Sequence, residues 1–225
     1  MKILVVAPHA DDETLGAGGT IARMVSEGHQ VTVAVMTGHG SGPHPIAPKS
    51  AWNTVRAEAR EAMSILGVQK LIFREIPAGC VREQPLYVVN EVAAKVVEEV
   101  RPEMLFVPFL WDLHQDHREI FHTFSVAWRV SNSIGRGIRE IYAYETLSET
   151  HWNTAYVEPG FFPNVHFDIS NHLGKKLEAL GCYKSQIREA PSARSIESAR
   201  AQAVWRGAQI EVRAAEAFVL VRKLV

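Results

Sequence analysis

The stretch Ile3-Leu4-Val5-Val6-Ala7-Pro8-His9-Ala10-Asp11-Asp12-Glu13 passes from an apolar run straight into one imidazole and three carboxylates, and Gly16-Ala17-Gly18-Gly19 follows it. A short run rich in branched aliphatic residues reads as a buried strand. The polar residues then fall in the loop at its carboxyl end, where open α/β sheets place their ligands. Three carboxylates and an imidazole in five residues repel one another, and a bound cation is the general remedy. The loop reads as half of a metal site.

The other half is Trp111-Asp112-Leu113-His114-Gln115-Asp116-His117. It also follows an apolar run, Met104 to Leu110, and precedes a helix-like stretch from Arg118 to Val130. The two clusters therefore occupy equivalent positions on two strands, and in a parallel sheet both open onto the same edge. His and carboxylate donors without Cys suit zinc, and Fe2+ or Mn2+ is compatible with the same set.

Strand and helix signals alternate along the rest of the chain. Leu15, Ile21, Ala22 and Val25 recur at helical spacing, Gly28 supplies a stop, and Val31 to Val35 reads as a second strand, which makes a βαβ unit. Gly38 to Ser50, with three Gly, three Pro and two His, reads as a loop at the rim or lid of a site. Ala51 to Leu66 predicts a helix stopped by Gly67, Lys70 to Arg74 a strand, and Leu86 to Val100 a helix ended near Pro102. Beyond the second cluster, Glu140 to Thr146, Val165 to Ile169 and Ala217 to Val221 predict strands, with helices over Leu173 to Ile187 and Ser195 to Arg213. The expected fold is α/β: a Rossmann-like three-layer sandwich with a mainly parallel sheet and a mixed C-terminal extension.

No linker-like or low-complexity stretch divides the 225 residues, so residues 1–225 read as a single domain, and a hydrophobic fraction of 47% is enough for a sizeable core. A formal charge of -1 gives no basic field for nucleic acid. No apolar run approaches the roughly eighteen residues of a membrane span, and the run after Lys2 lacks the length and cleavage site of a signal peptide. The expected setting is cytoplasmic. Cys80 and Cys182 have no metal or redox spacing and read as buried thiols. The glycines do not make a dinucleotide site: G-x-G-x-x-G starting at Gly16 would need glycine at Ile21, and three acids would face the pyrophosphate. Gly16, Gly18 and Gly19 instead suit close approach of helix to sheet.

The pair P-H-A-D-D-E-T-L-G and H-Q-D-H resembles the PIG-L/LmbE-like family of zinc-dependent sugar de-N-acetylases, whose motifs are usually written A-H-P-D-D-E and H-x-D-H. The resemblance continues through Arg56-Ala57-Glu58-Ala59-Arg60, Phe162-Pro163-Asn164, Tyr183-Lys184-Ser185-Gln186 and Ala215-Glu216-Ala217-Phe218. Ala10 departs from the family's usual Pro, which touches loop rigidity more than metal binding. The resemblance implies His9, Asp12 and His117 as metal ligands, an open tripod that leaves room for substrate. Adjacent side chains diverge, so Asp11 is better placed as the general base than as a fourth ligand.

His114, one helical turn before His117, can protonate the leaving amine or steady the oxyanion, and Asp116 suits the far nitrogen of an imidazole. Glu13 has two readings, favouring a helix amino terminus or bracing the site. Arg56 resembles the family's arginine near the acyl group or sugar. Asn164, Ser185 and Gln186 can line a sugar pocket, and each can equally cap or turn the chain.

The implied activity is metal-dependent hydrolysis of the N-acetyl group of an amino sugar or glycoconjugate of the N-acetylglucosamine type, giving acetate and a free amine. A zinc amidase acting on a non-sugar amide and a catalytically silent sugar-binding relative are the alternatives. By analogy with relatives of this length, a homo-oligomer, trimer or hexamer, is expected, with aromatics between His151 and Phe162 as anchors.

Overall fold

The computed structural model describes residues 1–154 and 156–225. Strand β1 (Lys2–Ala7) lies between β2 (Gln30–Gly38) and β4 (Met104–Pro108), and β3 (Lys70–Pro77) and β5 (Glu140–Tyr144) extend the sheet on either side. All of these pairings are parallel, with Val5 opposite Val33 on one side and Phe106 on the other. The last two strands complete an order β3-β2-β1-β4-β5-β7-β6: β7 (Ala215–Lys223) runs antiparallel between β5 and β6 (Val165–Asp168). The expected mainly parallel sheet with a mixed carboxyl-terminal part is present.

Helices cover both faces, and the alternation in β1 shows why. Ile3, Val5 and Ala7 join the core under α1 (Asp12–Ser26), α2 (Lys49–Leu66) and α7 (Leu173–Gly181). Leu4 and Val6 join the opposite core under α3 (Leu86–Val100) and α4 (Gln115–Ala127). A strand apolar at every position from Ile3 to Ala7 has to be buried on both sides, which is the three-layer arrangement.

The glycines of α1 act by absence of a side chain. A Cβ on Gly16 would collide with Cδ2 at the edge of the Tyr144 ring, and one on Gly19 would come within 2.5 Å of Ile169 Cδ1. Helix α2 ends where expected: Gly67 caps it with φ 79, a left-handed value that glycine adopts without strain. Helix α3 matches its expected bounds, although Arg101 itself, at φ 50, makes the stop before Pro102.

Three differences concern the carboxyl-terminal half. Helix α7 stops at Gly181 rather than near Ile187, because the chain turns to bury Tyr183. Helix α8 (Ile196–Ala208) begins after a Ser195 cap that accepts from Ser198 N, and it stops short of Arg213 as Val212 N folds back to Gly207 O. Two single-turn helices, α5 (Ser133–Arg136) and α6 (Leu147–Thr150), carry too few residues for a periodicity signal.

Candidate active site

Strand order reverses between β1 and β4: β2 and β3 lie on one side of β1, while β5 and β7 lie beyond β4. The two polar motifs follow those two strands and meet in the crevice that such a reversal opens. His9, Asp12 and His117 present ligand atoms within 4.8 Å of one another. Asp12 Oδ2 accepts from the backbone N of His9 at 2.8 Å and lies 3.2 Å from His117 Nε2 and 3.4 Å from His9 Nδ1. Asp12 Oδ1 is buried and has no hydrogen-bond partner.

Both imidazoles are fixed from behind. His9 Nε2 donates to Asp116 Oδ2 at 2.9 Å, and His117 Nδ1 donates to Asp112 Oδ2 at 2.8 Å. Each ring therefore turns its other nitrogen toward Asp12. Burial alone would lower both imidazoles. At His9 the hydrogen bonds to Asp116 and Asp12 outweigh it and lift the ring to about 9; at His117 the charge of Asp12 and the bonds to Asp112 and Asp12 lift it well above the ordinary range. The buried carboxylates call for positive charge at this point, and a divalent cation meets that demand. Two carboxylate-braced imidazoles and an orphaned carboxylate oxygen fit such an ion.

His9 also groups with His114 and Asp116. Asp116 is already engaged by Gly79 N at 2.5 Å, Val81 N at 3.3 Å and His9, which leaves the His9, Asp12 and His117 set as the better fit.

Asp11 occupies the amino-terminal cap of α1 with φ 119, a left-handed conformation that a non-glycine residue adopts only when its surroundings impose it. Its amide donates to Glu13 Oε2 at 3.2 Å, and its carbonyl accepts from Thr14 N and Leu15 N. Glu13, fully buried, is in turn held by Tyr183 Oη and by Thr14 Oγ1 at 2.7 Å. Glu13 is thus a brace for the loop that aims Asp11. Burial, with the charge of Asp12 beside it, pushes the Asp11 carboxyl up to about 8.

His114 caps α4 by accepting from Asp116 N at its Nδ1, 3.1 Å away, which leaves the ring proton on Nε2. Burial, with the positive charge of His9 adding to it, lowers His114 to about 4, so the ring is neutral near pH 7. A neutral N–H donor suits the steadying of an oxyanion.

Beside these groups lies a cavity of about 240 Å³. His9, Asp11, His114, Gln186 and Arg194 contribute polar groups to its lining, and Ile46, Trp52 and Val55 apolar ones. Ile46 comes from the glycine- and proline-rich loop, which therefore forms the rim as expected from its composition. The loop is fastened by His44, whose Nε2 donates to Ala78 O at 2.9 Å while Nδ1 accepts from Ile46 N.

Of the residues expected as substrate contacts, Gln186 lies at the cavity. Arg56 is elsewhere engaged, with Glu75 Oε1 at 2.5 Å and Arg74 O at 3.1 Å. Asn164 Oδ1 accepts from Leu220 N in the sheet, and Ser185 binds Glu58 through both its amide and hydroxyl. None of those three lines the cavity. Asp112, Thr150, Trp52 and Arg194 were not singled out for roles from the sequence. Asp112 was within reach of that reading, since it stands inside the second motif. Arg194 follows the cis Ala190–Pro191 bond in a turn-rich segment with no local motif.

Fold and site together define an α/β protein with a His-Asp-His group fit for a divalent cation, a strained carboxylate beside it and an amphipathic cavity above. Residues 4–128 match the profile of the PIG-L family, described as GlcNAc-PI de-N-acetylase, and the chain belongs to that family. It is 26% identical, over 82% of its length and 81% of the relative, to the probable N-acetyl-alpha-D-glucosaminyl L-malate deacetylase 2 of Bacillus anthracis. Among solved structures, the conserved protein TT1542 from Thermus thermophilus superimposes with a TM-score of 0.77 at 25% identity, covering 100% of this chain and 96% of that one. GalB, the 4-carboxy-2-hydroxymuconate hydratase from Pseudomonas putida KT2440, has the same TM-score at 22% identity, covering 100% and 98%, a likeness of fold alone.

Proposed function

We propose that this protein is a metal-dependent hydrolase that removes the acetyl group from an N-acetylated amino sugar or glycoconjugate of the N-acetylglucosamine type. The observation that carries the reading is Asp12 Oδ1, buried and unpartnered between two imidazoles whose far nitrogens are held by carboxylates. The family described for residues 4–128 supports the amide of an amino sugar as the target.

His9, Asp12 and His117 would hold the ion, and their nitrogen and oxygen donors suit zinc. A bound divalent cation supplies Lewis acidity to the amide carbonyl and to water. Beside that positive charge the Asp11 carboxyl is drawn down from about 8 into its ionised form, and Asp11 takes a proton from the attacking water as its oxygen adds to the carbonyl carbon. The neutral His114 offers Nε2–H to the carbonyl oxygen as negative charge gathers there. Asp11 then returns the proton to the nitrogen as the C–N bond breaks, and acetate and the free amine leave. One carboxylate thus serves as base and acid in turn. The apolar lining of the cavity, with Trp52, accepts the C–H face of the sugar ring.

We extend the same reading to a cytoplasmic enzyme and to a trimer or hexamer. Support for assembly is the exposure of Trp152, Tyr156 and Phe162 on one segment. Among the described residues no helix is long and apolar enough to cross a membrane.

The test pairs two variants. His117→Ala should lose most of the zinc measured by elemental analysis, whereas Asp11→Asn should keep the zinc and lose about a hundred- to ten-thousand-fold in acetate release from N-acetyl sugars. Full zinc in His117→Ala would overturn the ligand set, and near-normal turnover by zinc-replete Asp11→Asn would overturn the base.

A further inference from the structure

Arg194 is the cation on the lining of the cavity, and its donors are poorly matched. Its nearest carboxylate oxygens, Asp11 Oδ2 at 3.8 Å and Glu149 Oε1 at 3.9 Å, lie beyond hydrogen-bond range. The two side-chain hydrogen bonds it makes are long, 3.4 Å to Gln186 Oε1 and 3.5 Å to Ser148 Oγ. Other inward-facing arginines are filled: Arg118 grips Glu158 at 2.5 and 2.6 Å, and Arg206 grips Glu145 at 2.7 Å through two nitrogens. Arg194 is therefore a planar fork of five donors, most of them uncommitted, beside the carboxylate proposed to work on the acetamide.

We propose that Arg194 is a specificity-determining residue that receives two adjacent hydroxyls of the reacting sugar ring. The assignment rests on the deacetylase reading and deepens it. Three observations select a vicinal diol. The guanidinium fork presents parallel N–H donors, which match two neighbouring oxygens. Two carboxylates, Asp11 and Glu149, already stand 3.8 and 3.9 Å from its nitrogens, so a neutral acceptor is favoured over a third acidic group. The same lining carries the apolar side chains Ile46, Trp52 and Val55, which suit the C–H face of a sugar ring and leave its hydroxyls for the polar lining, where Arg194 is the guanidinium. The hydroxyl on the carbon next to the acetamido-bearing carbon, and its neighbour, are the pair closest to a reacting acetamide at Asp11. Gln186, which accepts from Arg194, orients the fork.

The experiment is a cycle between enzyme and substrate. Wild type, Arg194→Gln and Arg194→Lys are each assayed for kcat/KM on an N-acetylglucosamine glycoside and on its 3-deoxy analogue, and calorimetry measures the affinity of the zinc enzyme for both sugars. Loss of the hydroxyl should cost the wild type about ten- to a hundredfold, the range of a hydrogen bond to a charged group, and cost Arg194→Gln little. Lysine should not restore the discrimination, because a point charge lacks the fork. An equal loss on deoxygenation in wild type and Arg194→Gln would overturn the assignment, as would a variant that slows both sugars alike. If Arg194→Gln fails to fold, judged by its thermal melt, Gln186→Leu carries the same comparison. A wild type that releases no acetate counts against the deacetylase reading itself, and the calorimetric arm then decides the role of Arg194 separately.

Discussion

His117 and Thr150, on different helices, grip the same carboxylate: His117 Nδ1 donates to Asp112 Oδ2 at 2.8 Å and Thr150 Oγ1 donates to Asp112 Oδ1 at 2.6 Å. Thr146 N donates in turn to Thr150 Oγ1 at 2.8 Å, so the single turn of α6 sets the tilt of a proposed metal ligand. Partners of this kind typically contribute about 10- to 100-fold in metal affinity or activity. Asp112→Asn, which keeps the shape and loses the charge, should weaken zinc binding within that range in a chelator competition. Thr150→Val should weaken it less. Unchanged affinity in both variants would leave Asp112 with a packing role only.

The close approach of α1 to the sheet makes a second prediction. Tyr144 is pinned by the bond from its hydroxyl to Val6 O at 2.8 Å, so its ring has little freedom to retreat from a methyl group on Gly16. Overpacking of this kind typically costs about 1–3 kcal/mol, more than the gain of up to about 1 kcal/mol in helix propensity from glycine to alanine. Gly16→Ala should therefore lower the Tm, by about 2–4 °C for each kcal/mol lost. Gly42→Ala, whose Cβ meets nothing within 4 Å, should change stability by about 0.5 kcal/mol or less. A Gly16→Ala protein as stable as wild type would show that the helix can shift away from β5.

These two contacts also mark how far the sequence could be read. Strands β1 and β4 and their polar loops were legible because the change from apolar to ionisable residues is local. The stops at Gly28 and Gly67 were legible because backbone conformation there depends on residue type. The contact of Thr150 with Asp112 was not legible, since it joins residues 38 apart through a helix of one turn. Arg194 was hidden for the same reason: Tyr183 on Glu13 and Ser185 on Glu58 hold the stretch before it. Arg56 was a plausible contact until the strand beside it supplied Glu75. Local chemistry announced the site, and long-range partners decided which residues were free to serve it.

A third prediction concerns acid. Arg206 donates to both oxygens of Glu145 at 2.7 Å and His151 Nε2 donates at 2.7 Å. Burial would raise the Glu145 carboxyl, but His151 and Arg206 outweigh it and hold the group below the ordinary carboxylate range. A carboxyl whose folded pKa is depressed stabilises the fold fully above its unfolded value of about 4.3, and that contribution is lost as pH falls through the folded value. Glu145→Gln should lower the urea midpoint at pH 7, since removing one partner of a buried pair costs about 3–5 kcal/mol. It should also reduce the further drop between pH 5 and pH 3. Other carboxylates affect both proteins alike, so an identical acid drop in the two would remove Glu145 as a cause.

The charges around the cavity bear on which sugars enter it. Arg118 is closed on Glu158, Arg56 on Glu75, and Arg194 is flanked by Asp11 and Glu149. Asp11, Asp12, Glu13, Asp112 and Asp116 crowd the proposed metal end, and a single divalent ion offsets only part of their charge. A phosphate on the reacting ring would meet those carboxylates, with Arg118 and Arg56 closed on their own partners and Arg194 set between two acidic groups. Like-charge contacts of that kind typically cost several kcal/mol. The ratio of kcat/KM for an N-acetylglucosamine conjugate without and with a phosphate on the reacting ring should therefore exceed about tenfold, and it should shrink as added salt screens the repulsion. A preference for the phosphorylated ring would mean that Arg194 binds an anion despite Asp11 and Glu149 beside it. In that case the guanidinium would select charge, and the diol assignment would fall with it.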